Sequence, residues 1–252
     1  MSLKTQIRVY DLLDKDFNSS LSENIQPALN VFYGNQNDFP KDLSVFLKFL
    51  SLKEINRSER FKFLNDKRTY IISHASVNKK ISELLGEDFA TLKINYFNNR
   101  KPYVEQSNLD FNLSHSSDYF AFVISDHGDI SVGIDIEVIR KKLNIEPIIE
   151  SFFHENEINY ILKSNSNNLS MLQKFYEIWT RKEAFNKMLG TGLTEEISDI
   201  DMSSGKREIT TQNILSTIKN IGEAHIYTLK LYDQLMLTLS VNRPVNIILK
   251  KT

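Results

Sequence analysis

Cysteine is absent from this 252-residue sequence. Disulfide bonds, thiolate metal sites and a cysteine nucleophile are therefore excluded. Glycine-rich phosphate loops are missing as well, because neither a Walker loop nor a GxGxxG motif occurs. A bound polyanion would have to be held by individual side chains such as those of lysine and arginine.

Long hydrophobic runs and an excess of charge of one sign are also absent. The longest strongly apolar run, Tyr119 to Ile124, is far too short to span a bilayer. The N-terminal segment lacks the apolar core of a signal peptide. The formal net charge of −1 argues against a general nucleic-acid or membrane binder. We therefore expect a cytoplasmic protein that binds neither nucleic acid nor membrane.

The order of helical and strand patterns indicates the fold class. Helical patterns precede strand patterns in the first part of the chain, and the same order follows again after a join near residues 126–131. The length suffices for one large domain or two small ones. We predict an α+β fold with two halves of similar size, residues 1–128 and residues 129–252.

One predicted helix, Phe175 to Gly192, carries charge where an ordinary amphipathic helix would not. Its apolar residues gather on one face, and glycines end it. At about 100° per residue, Lys182 falls inside the apolar arc and Glu183 at its edge. Lys187 follows one turn after Glu183, and this pair alone is typical of a surface ion pair worth roughly 0.2–0.5 kcal/mol.

Three carboxylates are candidates for one site: Asp135, Glu137 and Glu183. Asp135 and Glu137 lie two apart in a predicted strand, so they point to the same face. Burial of unpaired carboxylates is costly, and all-oxygen ligation suits a hard cation such as Mg²⁺. The alternative is that both side chains face solvent on a one-sided sheet.

Cationic side chains and one histidine could surround a polyanion. Arg68, Lys101, Lys182 and Lys187 are the candidate cations. His115 differs from the other histidines because it lies between a predicted strand and a loop, where it could donate to a phosphate. A lone histidine in this position is otherwise a structural hydrogen-bonding group.

Several short motifs stand out in the sequence. They are GIDIE at Gly133–Glu137, WTRKEAFNK at Trp179–Lys187, RKP at Arg100–Pro102, NLSHS at Asn112–Ser116, and FF at Phe152–Phe153 with Glu157. Together they resemble the motifs of the 4′-phosphopantetheinyl transferases, in their larger, monomeric, Sfp-type branch. The resemblance covers about residues 55–195, and its specificity lies in the order of the motifs. In RKP, Arg100 departs from the glycine that usually precedes the lysine.

The resemblance implies two α+β halves related by a pseudo-twofold, with the active site between them. It implies a monomeric enzyme that uses Mg²⁺ to transfer 4′-phosphopantetheine from coenzyme A to a serine of an apo acyl- or peptidyl-carrier protein. The implied catalytic roles are general base for Glu183 and stabilisation of the leaving phosphate for Lys187. The implied binding roles are Mg²⁺ ligands for Asp135, Glu137 and Glu183, a diphosphate contact for Lys182, and coenzyme A contacts for Lys187, Arg57, Arg68, Lys101, Ser114 and His115.

Two other function classes stay open at this stage. One is an Mg²⁺-dependent hydrolase of phosphate esters of the coenzyme A type, with water in place of the serine. The other is a non-catalytic module that binds carrier proteins. The three carboxylates speak against the second class, because a site without function has no reason to keep converging charges.

Overall fold

A computed structural model describes residues 4–11, 26–97, 101–163, 170–191, 195–203, 207–210, 223–232 and 234–252. The helices are α1 Ser44–Leu47, α2 Leu52–Ser58, α3 Leu64–Leu85, α4 Glu146–Phe152, α5 Glu155–Leu162 and α6 Met171–Leu189. The strands are β1 Lys4–Asp11, β2 Ala28–Asn35, β3 Ile94–Tyr96, β4 Pro102–Val104, β5 Asp110–Ser116, β6 Tyr119–Ser125, β7 Val132–Val138, β8 Arg207–Thr210, β9 Glu223–Leu231, β10 Leu235–Val241 and β11 Asn246–Lys251.

The two larger sheets repeat one arrangement. In the first, β2 is followed by α3 and then by β5 and β6, and the strands lie in the order β2-β6-β5. In the second, β7 is followed by α6 and then by β9 and β10, and the strands lie in the order β7-β10-β9. All of these pairs are antiparallel. The repetition confirms the predicted α+β class with two similar halves.

The terminal strands of the chain are exchanged between the two sheets. β1 pairs in parallel with β9 of the second sheet, and β11 pairs in parallel with β2 of the first. Each sheet therefore contains a strand from the opposite end of the chain. The boundary between residues 128 and 129 stays a prediction, and a cut there would separate both of these strands from their partners.

The helix predicted at residues 175–192 is α6. It begins earlier than predicted, because Ser170 caps it and forms a reciprocal capping box with Gln173. It ends at Gly190, whose φ of 75° is in the left-handed region that favours glycine. Gly192 lies outside the described residues. No helix in the described part of the chain is long and apolar enough to cross a membrane.

Gly133 lets α6 approach the backbone of β7. A Cβ atom at this position would overlap the carbonyl oxygen of Ala184 and the backbone nitrogen of Met188. Both of these are main-chain atoms of α6, so neither can rotate away. The absence of a side chain at Gly133 therefore brings the last turns of α6 directly onto the strand that carries Asp135 and Glu137.

We expect Gly133→Ala to lower both stability and activity, because the added methyl group must push α6 away from β7. Overpacking of this kind costs roughly 1–3 kcal/mol. Gly128→Ala is a matched control, since its Cβ would meet only the side chain of Asn108, at 3.2 Å. Thermal unfolding should separate the two variants. Equal unfolding curves for Gly133→Ala and the unmodified protein would contradict the close approach.

Candidate active site

Two carboxylates of β7 point toward β5, as their spacing predicts. The hydroxyl of Ser114 donates to Asp135 Oδ1 at 2.8 Å, and that of Ser116 donates to Glu137 Oε2 at 2.5 Å. Only 3% of Asp135 is exposed. The alternative that this side chain faces solvent is therefore wrong. The paired carboxylates lie at the junction between the two sheets.

Lys187 joins α6 to this pair. Its ammonium nitrogen lies 2.6 Å from Asp135 Oδ1 and 2.9 Å from Ser114 Oγ. The ion pair therefore crosses from the helix to the strand and is more than a contact along the helix surface. Gly133, two residues before Asp135, permits this reach because it lets the helix lie against the strand.

Glu183 lies one turn before Lys187 and is electrostatically coupled to the same pair. Burial and the charge of Asp135 raise the pKa of Glu183 to about 7. Lys187 opposes this shift, and the charge of Glu137 adds a smaller increase. Burial and the charge of Asp135 also raise the pKa of Glu137. The three predicted carboxylates therefore interact electrostatically, and their mutual repulsion disfavours full ionisation.

The chemistry of this donor set fits a hard divalent cation. Asp135 Oδ2 is buried and has no hydrogen-bond partner, which is costly unless another group binds there. A cation would also relieve the repulsion that raises the pKa values of Glu137 and Glu183. In the described ranges, we find no group of three or more histidine, aspartate or glutamate side chains arranged so that they could hold a metal ion.

A cavity of about 440 Å³ lies beside the carboxylates. Its wall is both aromatic and cationic, a combination that suits a planar base with phosphate groups. Lys187 belongs to this wall as well as to the carboxylate cluster. The cavity is also lined by Arg57, Lys101, His115 and the acidic side chain of Glu54, with the rings of Phe61, Tyr70, His74, Tyr96 and Phe111.

The aromatic part of the wall is uncharged near neutral pH. Burial lowers the pKa of His74 to about 3 and raises that of Tyr70 to about 12. The guanidinium of Arg57 lies 5.5 Å from the centre of the Tyr70 ring, within the range of a cation–π contact. Arg57, which was named from the family resemblance alone, therefore lies where a phosphate in the cavity could meet it.

His115 lies in the cavity wall at the end of β5. Desolvation by the cavity wall, followed by the positive charges of Lys187 and Arg57, lowers its pKa, although the residue keeps exposed surface. A neutral imidazole can still donate one hydrogen bond, and an anion in the cavity would favour its protonated form. The arrangement agrees with the expected phosphate donor, and the role itself stays a prediction.

The prediction for Lys182 must be corrected. Its position in the apolar arc does bury it, and none of its side chain is exposed. The ammonium nitrogen lies 2.9 Å from a carboxylate oxygen of Glu157 and donates to the carbonyl oxygens of Ile197 and Ile200. Glu157 neutralises the charge of Lys182 in this buried ion pair, so the Lys182 side chain is not available to a diphosphate.

Arg68 and Lys101 are also engaged within the protein. Arg68 donates to the carbonyl oxygens of residues 36, 39, 40 and 41, and it is not among the residues that line the cavity. Lys101 lines the cavity, but its ammonium lies 2.7 Å from Asp110 and donates to the carbonyl oxygens of Val132 and Met188. Arg68 therefore holds the segment of residues 36–41, and Lys101 links β5, β7 and α6.

The side chains of Ser114 and His115 lie on opposite faces of β5, although the resemblance assigns both residues to the nucleotide. Successive side chains of a strand point to opposite sides. The hydroxyl of Ser114 contacts Asp135 and Lys187, whereas the imidazole of His115 lines the cavity. The structure therefore places Ser114 with the carboxylates and only His115 with the cavity.

Sequence reasoning did not identify Asn112 and Ser116 as site residues. Asn112 accepts a hydrogen bond from the backbone of β7, and Ser116 binds both Glu137 and the backbone of β7. A signal was present in the alternation of Asp110, Asn112, Ser114 and Ser116 along one strand. That alternation gives no information on the strand that these side chains contact, which is β7.

Comparisons with known proteins identify the family of this chain. Residues 131–238 match the family described as the 4′-phosphopantetheinyl transferase superfamily, and residues 37–132 match the family described as 4′-phosphopantetheinyl transferase, N-terminal. The two matches meet at the junction that holds the carboxylates. The fold and the site therefore define the class, and the chain belongs to the 4′-phosphopantetheinyl transferase superfamily, as its motifs predicted.

Individual relatives carry the same family name. The chain is similar to the 4′-phosphopantetheinyl transferase psf-1 of Bacillus pumilus, with 31% identity over 63% of this chain and 65% of the relative. The transferase gsp of Aneurinibacillus migulanus is 34% identical over 67% of this chain and 63% of the relative. The rat L-aminoadipate-semialdehyde dehydrogenase-phosphopantetheinyl transferase is 25% identical over 64% and 55%. The chain thus matches somewhat less than two thirds of each relative's length.

Proposed function

We propose that this protein transfers the 4′-phosphopantetheinyl group of coenzyme A to a serine of an apo acyl- or peptidyl-carrier protein. The position of Lys187 carries this proposal. Its ammonium contacts Asp135 and at the same time belongs to the wall of the aromatic, cationic cavity. A diphosphate that extends from a nucleotide in the cavity would meet both Lys187 and the carboxylate cluster.

Asp135, Glu137 and Glu183 would hold Mg²⁺, which would supply positive charge to the diphosphate oxygens. Asp135 offers its unpaired Oδ2 for this purpose. The relief of repulsion among the three carboxylates favours the same occupancy. Monomeric state stays a prediction of the family resemblance.

Glu183 is the candidate general base. Burial raises its pKa to about 7 in the metal-free protein. A bound Mg²⁺ would lower this pKa, so Glu183 would be ionised and able to accept a proton at neutral pH. Glu183 would accept the proton of the serine hydroxyl, directly or through water, as the serine oxygen bonds to the phosphorus next to the pantetheine arm. The bond from that phosphorus to the bridging oxygen then breaks, and Lys187 stabilises the negative charge on the departing adenosine 3′,5′-bisphosphate.

Arg57 and His115 would bind the nucleotide end, including its 3′-phosphate. Charged hydrogen bonds of this type are stronger than neutral ones. The aromatic side chains of Phe61 and Tyr96 in the same wall would offer stacking surface for the adenine.

The test measures the release of adenosine 3′,5′-bisphosphate from coenzyme A by chromatography. The protein is incubated with coenzyme A and Mg²⁺, with and without an apo-carrier protein. Release that requires the carrier supports the transferase. Release without any acceptor would favour the hydrolase, and carrier binding without any release would favour the non-catalytic module.

We expect His115→Ala to weaken the binding of coenzyme A more than that of dephospho-coenzyme A, which lacks the 3′-phosphate. A hydrogen bond to a charged group contributes roughly 1.5–3 kcal/mol, so the selective loss should be about tenfold or more. Titration calorimetry with both ligands measures it. His127→Ala is the control, because His127 lies in an exposed turn. Equal losses for the two ligands would assign His115 a structural role.

A further inference from the structure

β5 and β7 lie side by side in parallel, yet they belong to different sheets. Each is the edge strand of its own sheet. Among the described residues, no backbone hydrogen bond joins the two strands. Side chains of β5 take the place of such bonds, and each contacts a residue of β7 that lies 22 positions later in the sequence.

Three side chains of β5 accept hydrogen bonds from backbone N–H groups of β7. Asp110 Oδ2 accepts from Val132 at 3.0 Å, and Asn112 Oδ1 accepts from Ile134 at 2.9 Å. Ser116 Oγ accepts from Val138 at 3.2 Å. These bonds satisfy donors on the free edge of β7, where an unpaired buried N–H would cost about 1–3 kcal/mol.

The remaining position in this series, Ser114, contacts the candidate site. Ser114 lies between Asn112 and Ser116 on the same side of β5, and its hydroxyl donates to the side chain of Asp135. Ser116 combines both tasks, because it also donates to Glu137. The strand that fixes the backbone of β7 therefore also contacts both of its carboxylates.

Lys101 anchors one end of the same junction. Its ammonium contacts Asp110 and the carbonyl oxygens of Val132 on β7 and Met188 on α6. β5, β7 and the helix that carries Glu183 and Lys187 are thus linked at one point. A displacement of β7 relative to β5 would break bonds along the whole series.

We propose that Asp110, Asn112 and Ser116 are positioning residues that set the place of Asp135 and Glu137 at the junction of the two halves. Asn112 contacts β7 through the backbone, since its oxygen accepts from Ile134 next to Asp135, and it also lines the cavity. This inference rests on the proposed function, because it takes the two carboxylates to be cation ligands.

The test compares Asn112→Ala with Asn242→Ala. Asn242 is a matched control, because its side-chain oxygen also accepts from a backbone N–H, that of Ser131 just before β7, at 2.8 Å. We expect Asn112→Ala to speed the hydrogen exchange of the Ile134 amide and to weaken the binding of Mn²⁺, used as a probe, by about 10–100-fold, as for other partners that orient metal ligands. Asn242→Ala should change neither quantity by more than about twofold, since the residue lies away from the carboxylates.

Asn112→Asp keeps the accepting oxygen and should restore the slow exchange of the Ile134 amide. If Asn112→Ala does not fold, Ser116→Ala replaces it, with the Val138 amide as its readout. Unchanged Mn²⁺ affinity in the Asn112→Ala or the substitute Ser116→Ala protein, or an equal loss in Asn242→Ala, would overturn the inference. An unmodified protein that binds Mn²⁺ but transfers nothing would overturn only the proposed function, and one that binds no Mn²⁺ would overturn both.

Discussion

Asp135→Ala should lower the rate of transfer by roughly a hundredfold to a thousandfold. A metal ion contributes several kcal/mol of charge stabilisation, and about 1.4 kcal/mol corresponds to a factor of ten. Asp135 is central to the site because it contacts Ser114 and Lys187 and has one oxygen free for a cation. Steady-state kinetics at saturating coenzyme A measure the loss, and raised Mg²⁺ should restore little of it.

The fold should survive Asp135→Ala. The substitution leaves Lys187 without its partner, but it also removes a charge that repels Glu137 and Glu183. Asp129→Ala is the control, because this exposed aspartate pairs with Arg243 outside the site. Activity of the unmodified protein that survives excess EDTA would contradict the cation hypothesis.

Glu183→Gln should lower the rate of transfer by roughly 10²–10⁴-fold, the range for the loss of a general base. The substitution preserves the size of the side chain and removes its charge and basicity. Coenzyme A should bind nearly as before, since Lys187, His115 and Arg57 are unchanged. The unmodified protein should lose activity as the pH falls through the pKa of Glu183, and the variant should lack this limb of its pH–rate profile.

The stability of Glu183→Gln should depend on pH in a defined direction. Because the pKa of Glu183 is raised in the folded protein, its ionisation opposes folding above the unfolded pKa of about 4.3. Glutamine does not ionise, so the variant should be at least as stable as the unmodified protein at pH 8 without divalent cations. Near-normal transfer by Glu183→Gln would contradict the assignment of Glu183 as general base.

The helix and the strand of the site could be predicted from local patterns. The apolar spacing and Gly190 identified α6, and the spacing of two between Asp135 and Glu137 placed them on one face. Both features depend only on the periodicity of one element. The motif order then supplied the family, which the comparisons confirm.

The rest depended on contacts between distant parts of the chain. The pattern predicted that Lys182 is buried, but its partner Glu157 belongs to α5 and could not be read from α6. The exchange of β1 and β11 between the sheets involves strands from opposite ends of the sequence. A strand's own periodicity indicates which face is buried and gives no information on the neighbour with which it pairs.

Intact-mass spectrometry of an apo-carrier protein, incubated with this protein, coenzyme A and Mg²⁺, tests the central claim most directly. The account predicts that the carrier gains the mass of one phosphopantetheinyl group, and that a carrier with its acceptor serine replaced by alanine gains none. A panel of acyl- and peptidyl-carrier proteins that all keep their original mass, while the protein is folded and binds coenzyme A, would contradict it.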